Sequence, residues 1–378
     1  MSRESVITLS IGETESPPSF NFHLFVDGEV VAGNQSLSPD ESKAVREVSR
    51  RYNELFEQRY RPQVAAEELN TLGTDLFNLW LSRSWDNVKD RVPVGARRLL
   101  VIASDVSDVL NLPWELLRPP EGDFLGIDPR FSIRRLPSSG SKLPQFQGEL
   151  RPRPLRLLFM ACAPQDQASL DYELEEEYLL RAISGLDVAF DSGDLGTFEE
   201  LCDRINVFRP HIVHLSGHGV VGKKCPVCGN VNGPKEDVCK KPGCKSSLEE
   251  VPSLGYFAFE DESGRADLKS SEEIRRKMAG GEVQCVFVSG CQTGKAPPID
   301  AIGGVCQGLV IEEVPMAIGW AASIADDLAN RFARIFYRTL AACHPVDRAL
   351  VQARQDTWEA CQKQADPSWT LPVSTPPP

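Results

Sequence analysis

Residues 211–219 read HIVHLSGHG, and residues 284–294 read QCVFVSGCQTG. Each is an apolar run closed by Ser-Gly and then by a chemically useful residue, His218 in one and Cys291 in the other. Short apolar runs bounded by glycine read as buried strands, and strands buried on both faces belong to parallel sheets. Working outward, LRLLFMACAP (155–164), LGYFAFED (254–261) and PMAIGWAAS (315–323) are further strands. Between and after them lie helical patterns at 169–184, 197–207, 270–280, 300–313, 326–342 and 345–363. This alternation predicts an α/β fold, a mostly parallel sheet flanked by helices on both faces. Ligand and catalytic groups in such sheets collect at the carboxyl ends of the strands.

The first third of the chain reads differently. SFNFHLFVDG (19–28) alternates like a half-buried strand ending in a turn, and RRLLVIAS (97–104) is a buried strand. Helices are expected over 38–58, opened by Ser38-Pro39, and over 64–82. The Pro, Ser and Gly content of 136–154 marks a linker. The expected division is an N-terminal α+β subdomain over 1–150 and a second subdomain over 151–378.

Bulk properties narrow the classes. The 378 residues carry a net charge of −13, which argues against a nucleic-acid surface, since phosphate contacts need clustered Lys and Arg. No stretch is apolar for long enough to span a bilayer, so no membrane partner is expected. The opening MSRESVITLSIGE lacks the parts of a signal peptide, and a cytoplasmic location is expected. Eleven cysteines are an odd number in a long chain, which fits reduced thiols better than a disulfide framework.

Four of those cysteines stand apart. Cys225, Cys228, Cys239 and Cys244 have the spacing C-x2-C-x10-C-x4-C, with Gly229 and Gly243 available for tight turns. Such paired knuckles bring four thiolates into a tetrahedron, and the segment 222–250 reads as a zinc-ribbon insertion holding one structural Zn2+ per chain. A closed four-sulfur shell leaves no position for a reacting water. A metalloenzyme reading with His214 and His218 as ligands therefore fails on ligand supply. His211 and His214, inside the strand, read as core or sheet-face histidines. The acidic run ELEEE (173–177) reads as a solvated helix face.

His218 and Cys291 are the candidates for chemistry. Two parallel strands ending alike would set an imidazole beside a thiol, the pairing nucleophilic catalysis requires. The N–H groups of Gly219 and Cys291 could then face an oxyanion. The pattern alone leaves this open against an inert buried cysteine and a turn histidine.

At these residues a resemblance enters. HIVHLSGHG with VFVSGCQTG is similar to the His-Gly and Cys signatures of the caspase, separase and gingipain group of cysteine peptidases, and more narrowly the chain resembles the CHAT domain family. LPWELLRP (112–119), FLG (124–126), FSIRRLP (131–137) and AIGWAAS with the following helices resemble the family's other segments in the same order. The resemblance implies a caspase-like sheet, with 1–150 as a pseudo-caspase-like subdomain. It also implies Cys291 as nucleophile, His218 as general base and acid, and Gly219 with Cys291 as the oxyanion hole. An acidic residue after the strand AIGWAAS would set a basic cleavage preference; Asp326, or less well Asp327, fits that place, and both equally fit a helix start.

The implied function is a cysteine endopeptidase that cuts a protein partner in a prokaryotic signalling or defence pathway, such as a CRISPR-associated or cell-death one. Control by an activating partner or ligand-sensing module is expected, and the oligomeric state stays open. The alternative is a catalytically weak scaffold whose ribbon recruits a partner. The ribbon itself is a departure from the family.

Overall fold

The computed structural model describes residues 4–15, 18–57, 62–137, 153–167, 172–278, 283–289, 299–311, 314–320 and 326–363. By its contacts the chain divides into two compact units. One holds residues 1–144, 178–186 and 326–378, and the other residues 145–177 and 187–325.

In the first unit, β1 (Glu4–Glu15), β2 (Pro18–Val26), β3 (Glu29–Ser36), β4 (Arg97–Ser104) and β5 (Phe131–Leu136) form one sheet in the order β3-β2-β1-β4-β5. The first three make an antiparallel meander, and β4 and β5 join it in parallel. Asp27 and Gly28, both at positive φ, make the tight turn between β2 and β3. Alternate residues Ile7, Leu9 and Ile11 of β1 and Phe20, Phe22 and Leu24 of β2 are buried in the core. Four helices follow, α1 (Pro39–Glu57), α2 (Pro62–Trp80), α3 (Trp85–Arg91) and α4 (Ser107–Leu110). The expected start of α1 is present as a reciprocal cap. Glu41 N–H donates to Ser38 Oγ at 3.3 Å, and Ser38 N–H donates to Glu41 Oε2 at 2.8 Å.

The second unit contains two sheets. β6 (Leu155–Ala161), β7 (Val188–Ser192) and β8 (Ile212–Ser216) are followed by β9 (His218–Lys224), β10 (Val231–Asn232), β11 (Leu254–Glu260), β12 (Ala266–Ser270), β13 (Cys285–Ser289) and β14 (Ala317–Gly319). The parallel sheet runs β14-β13-β8-β6-β7. The expectation that LGYFAFED belongs to this sheet is corrected, because β11 pairs antiparallel with β9 and β12 in a separate sheet ordered β10-β9-β11-β12. Apolar alternation marks a strand but not its direction or its partner.

Helices α5 (Tyr172–Ile183), α6 (Phe198–Phe208), α7 (Ser271–Lys277) and α8 (Ile299–Ile311) complete the β-α alternation. One core joins Leu158, Met160, Val213, Leu215, Val286 and Val288 of the parallel sheet to Leu201, Ile205, Ile274, Val305 and Leu309 of α6, α7 and α8. Each such side chain removed from water contributes about 1.5–3 kcal/mol. The first turn of α5 reaches the other face, so helices flank the sheet on both sides.

The last two helices, α9 (Asp326–Ala341) and α10 (Val346–Lys363), group by contacts with the first unit. The expected division at 150 placed them in the second subdomain. What holds α10 in the first unit is polar as well as apolar. Asp347 Oδ2 accepts from Arg97 Nη2 and from Ser132 Oγ, both at 3.0 Å. Glu115, wholly buried, accepts from Arg135 through both oxygens at 2.6 and 2.7 Å, and Arg354 Nη2 lies 3.5 Å from Oε1. Burial pushes the Arg354 guanidinium down to about 10 even though Glu115 opposes the shift. Gly126 N–H donates to Glu115 O at 2.9 Å, and a Cβ there would stand 2.6 Å from that oxygen. The segments SIRRL and VQARQ thus meet the buried Glu115 carboxylate of WELLR, and FLG packs on the same residue's backbone.

Candidate functional site

The site grows from two strand ends. β8 and β13 are adjacent, parallel and in register, so that Ser216 is the partner of Ser289. Gly217 N–H donates to Ser289 O at 2.9 Å, and Cys162 N–H donates to Ser216 O at 2.8 Å. At Gly217 the chain leaves the parallel sheet and enters β9. A Cβ at Gly217 would lie 2.5 Å from Phe257 Cζ and 3.2 Å from Cys162 O, so only glycine lets the strands pass this closely.

His218 is the first residue of β9 and is buried, opposite Ala258 of β11. Gly219, also buried, is the register partner of Phe257. His218 thus follows the carboxyl end of β8 and begins a new strand that pairs with β11 from its first residue. Cys291 lies outside the described residues, as do the side chains of Asp326 and Asp327, whose backbone opens α9.

On one face of the parallel sheet a buried polar cluster sits at these strand ends. Glu175, in the first turn of α5, accepts from Ser216 Oγ at 2.5 Å and from Ser289 Oγ at 2.7 Å, and His214 Nε2 lies 3.1 Å from its Oε1. Burial pushes the Glu175 carboxyl up, but these bonds outweigh it and hold the group below its ordinary value. An ionised carboxylate can only accept, so Nε2 is the protonated nitrogen of His214. The His214 ring stacks on Phe287 with centroids 4.6 Å apart.

The reading of His214 as a sheet-face histidine agrees with this, whereas the reading of ELEEE as a solvated face is corrected at Glu175. Nothing local separates Glu175 from its three acidic neighbours; only the register of the helix on the sheet selects it. His211, at the amino end of β8, accepts from Arg156 N–H through Nδ1 at 2.9 Å. Burial, then the charges of Arg156 and Arg153, hold its imidazole below the usual range.

The four cysteines of the insert gather into a cluster whose sulfurs all lie within 4.8 Å of one another. Cys225 and Cys244 Sγ are 3.8 Å apart, and Cys228 and Cys239 Sγ are 3.5 Å apart. A tetrahedron of sulfurs at about 2.3 Å from a zinc ion has edges of about 3.8 Å, so the donor set fits a metal of this kind. Among the described residues no other group of three or more His, Cys, Asp or Glu gathers this way. Gly229 and Gly243 take the positive φ that the knuckle turns demand.

The sulfurs cannot all carry charge without a cation. Burial opposes the Cys225 thiolate, but the N–H groups of Cys228 and Val227 outweigh it and bring that thiol down to about 6. The Asn230 N–H favours the Cys228 thiolate, yet burial and the neighbouring sulfurs push that thiol up to about 12. Asn232, missed in the sequence, is buried beside the cluster. Its Nδ2 donates to Asn230 O at 2.9 Å and lies 3.7 Å from Cys239 Sγ, and its Oδ1 accepts from Lys240 N–H at 2.8 Å.

One strand runs from His218 to the cluster. β9 spans His218 to Lys224, immediately before Cys225, and pairs with β11 from His218 to Gly222 and with β10 at Lys223 and Lys224. Lys224 Nζ also meets Glu273 Oε1 at 3.0 Å, and Glu273 closes a capping box with Ser270 at the start of α7. His214 and His218 lie on different strands and different sheets, and neither joins the four-cysteine group.

No helix among the described residues is long and apolar enough to cross a membrane. No curated protein matches the sequence. A solved structure of Saccharomyces cerevisiae separase with securin aligns over 99% of this chain at 11% identity and a TM-score of 0.46, and this chain spans 29% of that one. The family model described as the CHAT domain matches residues 52–374. With most of its length matched, the chain belongs to the CHAT domain family, a caspase-like protease family.

Proposed function

We propose that this chain is a cysteine endopeptidase acting through Cys291 and His218. The observation that carries the reading is the pairing of Ser216 with Ser289 on adjacent parallel strands, each two residues before one of those side chains. On this reading His218 takes the Cys291 proton, the thiolate attacks the peptide carbonyl, and His218 returns the proton to the leaving amine. A thioester remains, which water then cleaves with His218 again as base. The N–H groups of Gly219 and Cys291 stabilise the oxyanion. Asp326, with Asp327 beside it, selects a basic residue before the scissile bond.

The four-cysteine cluster holds one structural Zn2+ per chain and stiffens the end of β9, away from the chemistry. Exposed Val227 and Val238, at the knuckle tip and on the ribbon, suit a contact with a protein substrate or activating partner. The setting is a cytoplasmic signalling or antiviral defence pathway, with 1–150 as the N-terminal subdomain and 151–378 as the catalytic one.

The test is covalent labelling with peptide acyloxymethyl ketones bearing Arg, Lys or Asp at the terminal position, with and without the native partner. A basic probe is expected to modify wild type and not Cys291→Ala. No labelling of Cys291 under any of these conditions would sink the peptidase reading.

A further inference from the structure

Glu175 is buried and ionised, and its partners include the two serines that end β8 and β13 and a histidine on the same strand face. A buried carboxylate costs several kcal/mol unless its bonds compensate, so a protein that merely needed a packed core would place an apolar residue here. The three donors come from positions 39, 41 and 114 residues away in the chain. They share one property, which is position: Ser216 and Ser289 are register partners at the last rung of the β8–β13 ladder.

We propose that Glu175 is a positioning residue, which clamps together the carboxyl ends of β8 and β13, the two strands that lead in sequence to His218 and Cys291. Ser216 reaches Oε2 while Ser289 and His214 converge on Oε1, so the carboxylate bridges the two strands rather than serving one. Backbone bonds complete the clamp, since Gly217 N–H reaches Ser289 O and Cys162 N–H reaches Ser216 O. His214 orients the clamp: stacked on Phe287 and aimed at Oε1, it fixes the rotation of the carboxylate. The flanking α5 acid Glu173 is exposed.

The catalytic half of this proposal rests on the peptidase reading, and the mechanical half does not. The test therefore has two readouts on the full chain carrying its metal. Glu175→Gln keeps the shape but leaves a single accepting oxygen, and Ser289→Ala removes one arm with little loss of volume. A misplacement of about 1 Å costs reacting groups on the order of a hundredfold. Each variant is expected to lower kinact with the acyloxymethyl ketone by about ten- to a hundredfold, with KI changed less than about threefold. Combined, they should do little more than either alone. Glu173→Gln is expected to behave as wild type.

The second readout is hydrogen exchange at the Gly217 and Cys162 amides, which needs no turnover. It is expected to be about tenfold faster in Ser289→Ala and in Glu175→Gln. Wild-type kinact together with unchanged exchange in folded variants overturns the proposal. Faster exchange with an unlabelled wild type would overturn the peptidase reading while keeping the clamp. Faster exchange with wild-type kinact would overturn the positioning role itself.

Discussion

Glu115 and Arg135 face one another through two parallel N–H···O bonds in the buried interior of the first unit, with Arg354 of α10 closing on the same carboxylate. Charge this deep is tolerated only while its partners remain. Glu115→Ala would leave two guanidinium groups buried together, and a loss of about 3–5 kcal/mol is expected, read as a lower urea midpoint. A stability within about 0.5 kcal/mol of wild type would show that the cluster is dispensable.

Metal content is expected to separate the two chemistries. The purified chain should carry one zinc per molecule by elemental analysis, and Cys228→Ser or Cys239→Ser should lose it. His218→Ala should keep it, because His218 lies outside the sulfur cluster. Asn232→Ala should bind zinc about 10–100-fold more weakly, since it removes the side chain that braces Cys239.

Two glycines at either end of β9 make a sharper comparison. In Gly222→Ala the new Cβ would lie 2.4 Å from Asn232 O, forcing β10 away from β9. In Gly217→Ala, at the β8–β9 junction, it would meet the Phe257 ring and the Cys162 carbonyl instead. The first is expected to weaken zinc retention against a chelator with labelling of Cys291 reduced less. The second is expected to cut labelling about tenfold or more with zinc retained. The reverse pattern would contradict the assignment of the two strand ends.

Acid should act through Glu175. Its carboxyl is held below the ordinary value of 4.5, so its bonds add stability in full above that value. The contribution is lost as the pH falls below 4.5 and through the folded-state value. Glu175→Gln has no such proton to gain. Its stability, measured by urea unfolding from pH 7 to 3, should therefore fall less steeply with acid than that of wild type. Parallel curves would argue that Glu175 titrates alike in the folded and unfolded chains.

Much of the fold is legible because its signals are local. RRLLVIAS is β4 residue for residue, and the apolar runs at 155–164 and 284–290 are parallel strands because both faces of each are covered. The opening strand β1 and the short edge strands β7 and β12 escaped, being masked by polar alternation or brevity. β9 escaped for another reason. GVVGKK carries two glycines and two lysines, a composition that reads as loop until β11 and β10 pair with it.

By itself the sequence determined the β-α alternation, the four-sulfur spacing and the family motifs, because periodicity and ligand spacing are properties of neighbouring residues. Only the tertiary structure decided that WELLR, SIRRL and VQARQ meet at one carboxylate, with Arg354 and Glu115 separated by 239 positions. It likewise decided that one acid of ELEEE is buried and that a single strand joins His218 to the cysteine cluster. These depend on which face and which rung each element presents to another. Desolvation and hydrogen bonding settle that only when distant segments come together.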